Sequence, residues 1–170
     1  KVKEKEREYL TIEEVRRLEK TECRYKVLKR AFLFSCLTGL RSSDIKKLKW
    51  KEVHFDNEGN RIHYYQKKTE NLEYLDISEQ ALSYLGEKGG DEDKPFEGLK
   101  SSSYFNVSLI QWMLKAGITK HITFHCARHT HATLLLTHGV DIYTVSKLLG
   151  HKEIKTTQVY ARIIDEKKKE

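Results

Sequence analysis

Between Tyr25 and Thr38 the chain carries Val27, Leu28, Ala31, Phe32, Leu33, Phe34 and Leu37, which fall on most sides of a helical wheel. A helix that is apolar all round cannot lie on a surface, so the other elements have to be arranged around residues 25–38. Gly39 follows as the residue free to take the left-handed conformation that closes a helix. With 170 residues the chain can supply that enclosure within one ordinary domain.

The flanking segments have their own periods. Residues 1–10 form a lead-in, its first nine dominated by lysine and glutamate. Thr11-Ile12-Glu13-Glu14 reads as a capping box opening a helix to about Thr21, with Ile12, Val15 and Leu18 at helical spacing. After Gly39, Leu40-Arg41-Ser42-Ser43-Asp44 leads into a short helix with Ile45 and Leu48, capped by Ser42 or Ser43. Arg41 then stands between a buried helix and a helix start, where a fixed cation can be aimed at an anion.

From Glu52 the period becomes two. Val53 and Phe55, Ile62 and Tyr64, and Leu72 to Ile77 read as a three-stranded antiparallel meander, turning at residues 56–60 and 67–71. The second turn offers a lysine on a flexible stem, Lys67 or Lys68. Ser78 caps a helix to about Glu87, residues 89–95 form a mobile loop with the single proline, and a helix runs from Ser103 to Lys115 with Val107, Ile110 and Leu114 on one stripe. The predicted class is α+β, mostly α-helical with a small three-stranded antiparallel sheet.

Thirty-two lysines and arginines against twenty-five acids leave a net charge of +7, a bias toward a polyanionic partner such as DNA. Three scattered cysteines, Cys23, Cys36 and Cys126, argue against a disulfide framework and for reduced thiols in a cytoplasm. No run approaches the roughly 20 apolar residues of a membrane span, and KVKEKERE is not a signal peptide, so an intracellular protein with no membrane association is expected.

The last third carries the chemistry. A helix is predicted from about His125 to His138, ended by Gly139, with His125 and Arg128 presented on one face and Ala127, Leu134 and Leu135 opposite. His131 falls in the apolar arc and reads as a packed histidine. His125 and His129 are four apart, but a zinc-protease motif needs a glutamate between them and a third ligand, so no metal is expected. Asp141 opens a further helix with Ile142, Val145, Leu148 and Leu149 inward; Gly150 ends it, His151 follows, and Tyr160 stands nine residues beyond that histidine.

TGLRSSDIKKLKW, the hairpin-turn KKTEN, HCARHTHAT and LLGHKEIKTTQVYA, in that order, resemble the successive boxes of the tyrosine recombinase (phage integrase) family, notably integrases of phages and conjugative transposons. The resemblance covers the chain from about Thr11. It implies the catalytic-domain fold of that family over residues 11–162 and a tail at 163–170; family members carry a core-binding domain before this one, and in departing from that pattern the chain is expected to be the catalytic domain alone. It implies site-specific DNA strand cleavage and rejoining through a 3′-phosphotyrosyl intermediate. Tyr160 would be the nucleophile, Arg41 and Arg128 would grip the nonbridging phosphate oxygens, and His151 would add a hydrogen bond. Lys68, favoured over Lys67 by the family's Lys-Thr pattern, would be the general acid, and His125 the general base or at least the group that handles the tyrosine proton. No cofactor and no metal are implied.

The implied partners are a double-stranded DNA attachment site, three further copies in a homo-tetramer on synapsed DNA, and accessory DNA-bending proteins, in a bacterial cytoplasm at the nucleoid. Ile163 and Ile164 would anchor the tail on a neighbouring subunit. The implied setting is integration or excision of a mobile element. The rivals are a type IB topoisomerase and a DNA-binding remnant that no longer cleaves. Ala127 and His131 depart from the family's usual Leu and Phe, as packing variations.

Overall fold

A computed structural model describes residues 8–56, 59–148 and 158. Its centre is helix α2 (Lys26–Thr38), on which Ala31, Phe32, Leu33, Phe34 and Cys36 are all buried. Phe32 meets Trp112 and Phe124 edge-on at 5.6 and 5.7 Å between ring centroids, and Phe34 packs on Phe96 at 5.1 Å. Such aromatic pairs hold their partners in defined orientations as well as burying area.

The surrounding elements are α1 (Ile12–Lys20), α3 (Ser42–Lys47), strands β1 (Val53–Asp56), β2 (Gly59–Tyr65) and β3 (Leu72–Ile77), and helices α4 (Glu79–Ser83), α5 (Ser103–Lys115), α6 (Cys126–Thr137) and α7 (Ile142–Leu148). The strands form one antiparallel sheet in the order β1-β2-β3, with Val53 opposite Ile62 and Ile62 opposite Leu75. The α+β reading holds. The capping box is present: the Thr11 hydroxyl accepts the Glu14 N–H at 3.2 Å, and the Glu14 carboxyl accepts the Thr11 N–H at 3.0 Å.

Several expectations about local structure change. Neither serine caps α3: Arg41 is the cap residue and Ser42 the first helical one. Helix α4 stops at Ser83: the chain tightens into turns through Gly86, which takes the left-handed φ of 79°, and the Arg30 guanidinium donates to the carbonyls of Tyr84 and Pro95 at 2.9 and 3.1 Å. The loop expected to be mobile is tied down: Trp50 and Lys51 donate backbone N–H groups to Asp93 and Asp91, and Glu92 bridges Lys49 and Lys51.

The stripe of Val107, Ile110 and Leu114 on α5 faces outward, since Leu109, Trp112 and Met113 fill the core and the Trp112 indole N–H donates to the Thr21 carbonyl at 3.0 Å. On α7, Val145 is buried while Leu148 is exposed; Leu149 lies outside the described residues. All three cysteines are buried and free. Among the described residues no helix is long and apolar enough to cross a membrane.

Candidate active site

Gly39 closes α2 with φ of 76°, and the turn behind it is locked. The Ser35 hydroxyl donates to the Leu40 carbonyl at 2.7 Å, and the Thr38 hydroxyl donates to Phe34 and accepts the Leu40 N–H. Leu40 plugs into the core, which fixes where the next residue leaves it. Arg41 therefore starts α3 from a rigid support and lines a cavity with Thr38, Asp44, Tyr64, Glu73 and Arg128. Its Nη1 is buried and has no hydrogen-bond partner among the described residues. A buried donor is costly to leave without an acceptor, and an anionic oxygen brought into this cavity would satisfy it.

Arg128 comes to the same cavity from α6. It was expected to be presented on a helix face, but it is only 6% exposed, because the α3 turn, β2 and α7 close around it. His125 is exposed at the cap position of α6, one turn earlier, and its ring meets that of buried His129 edge-on at 4.6 Å. Among the described residues no cluster of three or more histidine, cysteine or acidic side chains could hold a metal. Two guanidiniums on one cavity wall suit an oxyanion, to which each can donate two hydrogen bonds.

The lysine hairpin is brought alongside by Asp44, a residue the sequence reading passed over. Asp44 is 3% exposed, and its Oδ1 accepts the backbone N–H of Lys67 at 2.9 Å. The turn itself is built on buried Gln66, whose N–H donates to the Asn71 carbonyl at 2.8 Å while its side-chain oxygen accepts the Thr69 hydroxyl at 2.8 Å. Glu70 takes the left-handed φ of 59°. Lys67 and Lys68 project outward from this frame, exposed. The clue available in the sequence was an acid three residues after Arg41, on the same side of a helix.

Asp44→Ala is expected to free the hairpin, speeding exchange of the Lys67 amide and lowering stability by about 1–3 kcal/mol as a buried donor loses its acceptor. Asp44→Asn keeps an acceptor oxygen and should restore protection; equal exchange in all three proteins would show the tie to be idle.

Tyr64 contributes a phenol to the cavity wall. Burial pushes its pKa up, Asp44 and Glu73 add to this, and Arg128 and Arg41 only partly oppose it, so the phenol stays protonated. His131 is packed as expected. Its Nδ1 donates to the Cys36 carbonyl at 3.0 Å, and burial, with Arg128 nearby, lowers its pKa to about 4.

His131 sits neutral in the fold while an unfolded histidine titrates near its ordinary 6.5, so its share of stability is complete above that pH and is lost as pH falls toward about 4. Urea denaturation at pH 7 and pH 5 should show His131→Phe losing less stability on acidification than the parent, the difference growing by up to about 1.4 kcal/mol per pH unit. Parallel losses would assign the acid sensitivity elsewhere.

Of the six candidate residues, the structure thus brings Arg41 and Arg128 into one cavity, sets His125 one turn before Arg128, and hangs Lys68 on a hairpin tied to α3. His151 and Tyr160 lie outside the described residues.

Comparison with known proteins agrees with this architecture. The phage integrase family matches residues 8–167. The tyrosine recombinase XerA of Saccharolobus solfataricus is 34% identical over 128 residues, 75% of this chain and 43% of that protein. The crystal structure of XerA recombinase superimposes with a TM-score of 0.70 at 26% identity, covering 94% of this chain and 60% of that one. The catalytic domain of bacteriophage HP1 integrase shares the fold, with a TM-score of 0.67 at 24% identity over 91% of this chain and 86% of that one. The chain therefore spans less than half the length of the curated XerA it matches. A family match across nearly all of its residues, on a fold that sets two arginines into one cavity, makes the chain a member of the phage integrase family.

Proposed function

We propose that this chain is the catalytic domain of a tyrosine-type site-specific recombinase, cutting and rejoining duplex DNA at an attachment site. The observation that carries the reading is the pair of guanidiniums around one cavity, one of them with a buried Nη1 that lacks an acceptor among the described residues. A scissile phosphate supplies what is missing, two nonbridging oxygens whose charge grows as the phosphorus becomes five-coordinate. Preformed donors then stabilise the transition state more than the ground state.

In this reading the Tyr160 oxygen attacks phosphorus, its proton passing to His125. The bond from phosphorus to the 5′-oxygen breaks, and Lys68 protonates that oxygen, leaving a 3′-phosphotyrosine and a free 5′-hydroxyl. His151 donates a further hydrogen bond to the phosphate. Attack by the 5′-hydroxyl of another strand reverses the step and rejoins DNA with its bond energy retained. The net charge of +7 suits the duplex. Strand exchange by four copies on two synapsed duplexes, helped by DNA-bending proteins, would integrate or excise a mobile element, and Ile163 and Ile164 would anchor the tail on a neighbouring copy.

The test is trapping on a nicked suicide duplex carrying the element's own attachment site. Once cut, that duplex loses the short strand that would reverse the reaction, so a covalent protein–DNA band should accumulate on a denaturing gel. Tight binding to the same duplex without such a band would leave a DNA-binding protein that does not cleave.

A further inference from the structure

Helix α6 is held at its first turn by a residue that no step above employs. Thr130 is fully buried, and its hydroxyl makes two bonds at once: it donates to the Cys126 carbonyl at 2.8 Å and accepts the backbone N–H of Leu10 at 2.9 Å. A hydroxyl has the donor and the lone pairs for both. Cys126 opens α6, directly after His125 and two residues before Arg128. The segment at Leu10, 120 residues away in sequence, is thereby fastened to the turn that carries both groups.

The attachment extends beyond one bond. Leu10 is itself fully buried, and on either side of it Lys120 and Glu14 hold the backbone. The Lys120 ammonium donates to the Tyr9 carbonyl at 3.0 Å and to the Glu14 carboxyl at 2.7 Å, and it lies over the Tyr9 ring at 5.6 Å. Glu14 in turn accepts the Thr11 N–H. Burial alone would raise the Glu14 pKa, yet the bonds from Lys120 and Thr11 hold it below the ordinary carboxyl range. Three consecutive backbone groups, the Tyr9 carbonyl and the N–H groups of Leu10 and Thr11, thus have fixed side-chain partners.

On its other side the start of α6 is held by Thr123, whose backbone N–H donates to the Cys126 sulfur at 3.3 Å. His125 makes no side-chain cap bond, and a threonine bonding back to the carbonyl four residues earlier tends to bend a helix. The Leu10 N–H fixes the direction in which that hydroxyl points, and so the geometry of the turn.

We propose that Thr130 is a positioning residue that makes residues 9–14 part of the active-site scaffold, setting the alignment of His125 and Arg128 through the first turn of α6. The role rests on the recombinase reading above. It also makes cleavage sensitive to how the chain enters the domain at Tyr9 and Leu10.

The test compares the full chain with Thr130→Val, which keeps the shape and removes the hydroxyl, and Thr130→Ser, which restores it. Three quantities are read: the rate of adduct formation at saturating suicide duplex, the dissociation constant for that duplex, and hydrogen exchange at the Leu10 amide. Thr130→Val should slow adduct formation about 10–100-fold, as a small misplacement of positioned groups does. DNA binding should stay within about twofold, because only the alignment of reacting groups changes. The Leu10 amide should exchange faster, and Thr130→Ser should return both rate and protection.

An unchanged cleavage rate in Thr130→Val overturns the proposal, and so does a rate loss that Thr130→Ser fails to restore. Should Thr130→Val not fold, Lys120→Met carries the same test from the other end of the attachment, with a smaller slowing expected and no slowing counting against it. If the parent itself forms no adduct, the recombinase reading fails and the positioning role with it; slow Leu10 exchange in the parent beside normal DNA binding would identify that case.

Discussion

Tyr160→Phe is expected to bind attachment-site DNA as the parent does and to form no covalent adduct on the suicide duplex. The change removes one oxygen. Phenylalanine keeps the ring's bulk but has no atom able to bond to phosphorus, so the loss should be complete rather than graded, unlike removal of a stabilising donor. Among the described residues the rival phenol is Tyr64, which lines the same cavity as Arg41 and Arg128. Its pKa is raised, first by burial and then by Asp44 and Glu73, so it resists becoming the phenolate that attack requires. An adduct persisting in Tyr160→Phe and vanishing in Tyr64→Phe would transfer the nucleophile to the sheet and sink the assignment made from the order of motifs.

What the sequence disclosed about the fold was its local order. The all-round apolarity of α2, the alternation in β1 to β3, the capping box at Thr11 and the bounds of α5 all follow from the period or chemistry of adjacent residues. What it hid depends on residues far apart in the chain. Past the end of α4, Arg30, more than fifty residues upstream, takes the Tyr84 carbonyl. The α5 stripe at Val107, Ile110 and Leu114 is apolar at helical spacing and still faces outward, since the core side was already filled by Trp112 and its neighbours. Periodicity reports that a stripe exists, and tertiary packing decides which way it turns.

The site divides in the same way. Arg41 and Arg128 were nominated by type and spacing, and the fold brings them to one cavity. Their supports were not visible: Asp44 acts 23 residues away on the Lys67 backbone, and Thr130 acts 120 residues away on Leu10. A carboxyl or hydroxyl bonding to a backbone N–H leaves no pattern in a sequence, because every residue except proline offers that donor. Arg128 was placed on an open face because a helical wheel shows only its own helix, and it cannot show β2 and α7 closing over it.

Removing either arginine should slow adduct formation by about 10²–10³, the range for deleting one preformed donor to a developing oxyanion, and the two should differ in what else they lose. Arg41 Nη1 is buried without an acceptor among the described residues, so replacing the side chain breaks no bond at that atom there. Arg41→Met, which keeps the apolar stem, should therefore unfold at the same temperature as the parent or higher while cleaving far more slowly. Arg128 is almost completely enclosed, and Arg128→Met should lose stability as well as rate, because its surroundings are shaped around a guanidinium. Arg41→Lys should remain slow, since an ammonium offers a point charge where a planar fork spans two oxygens. Thermal unfolding beside single-turnover cleavage separates the cases. Were Arg41→Met to lose as much stability as Arg128→Met, Arg41 would be a structural residue, and the cavity would lose its claim to a phosphate.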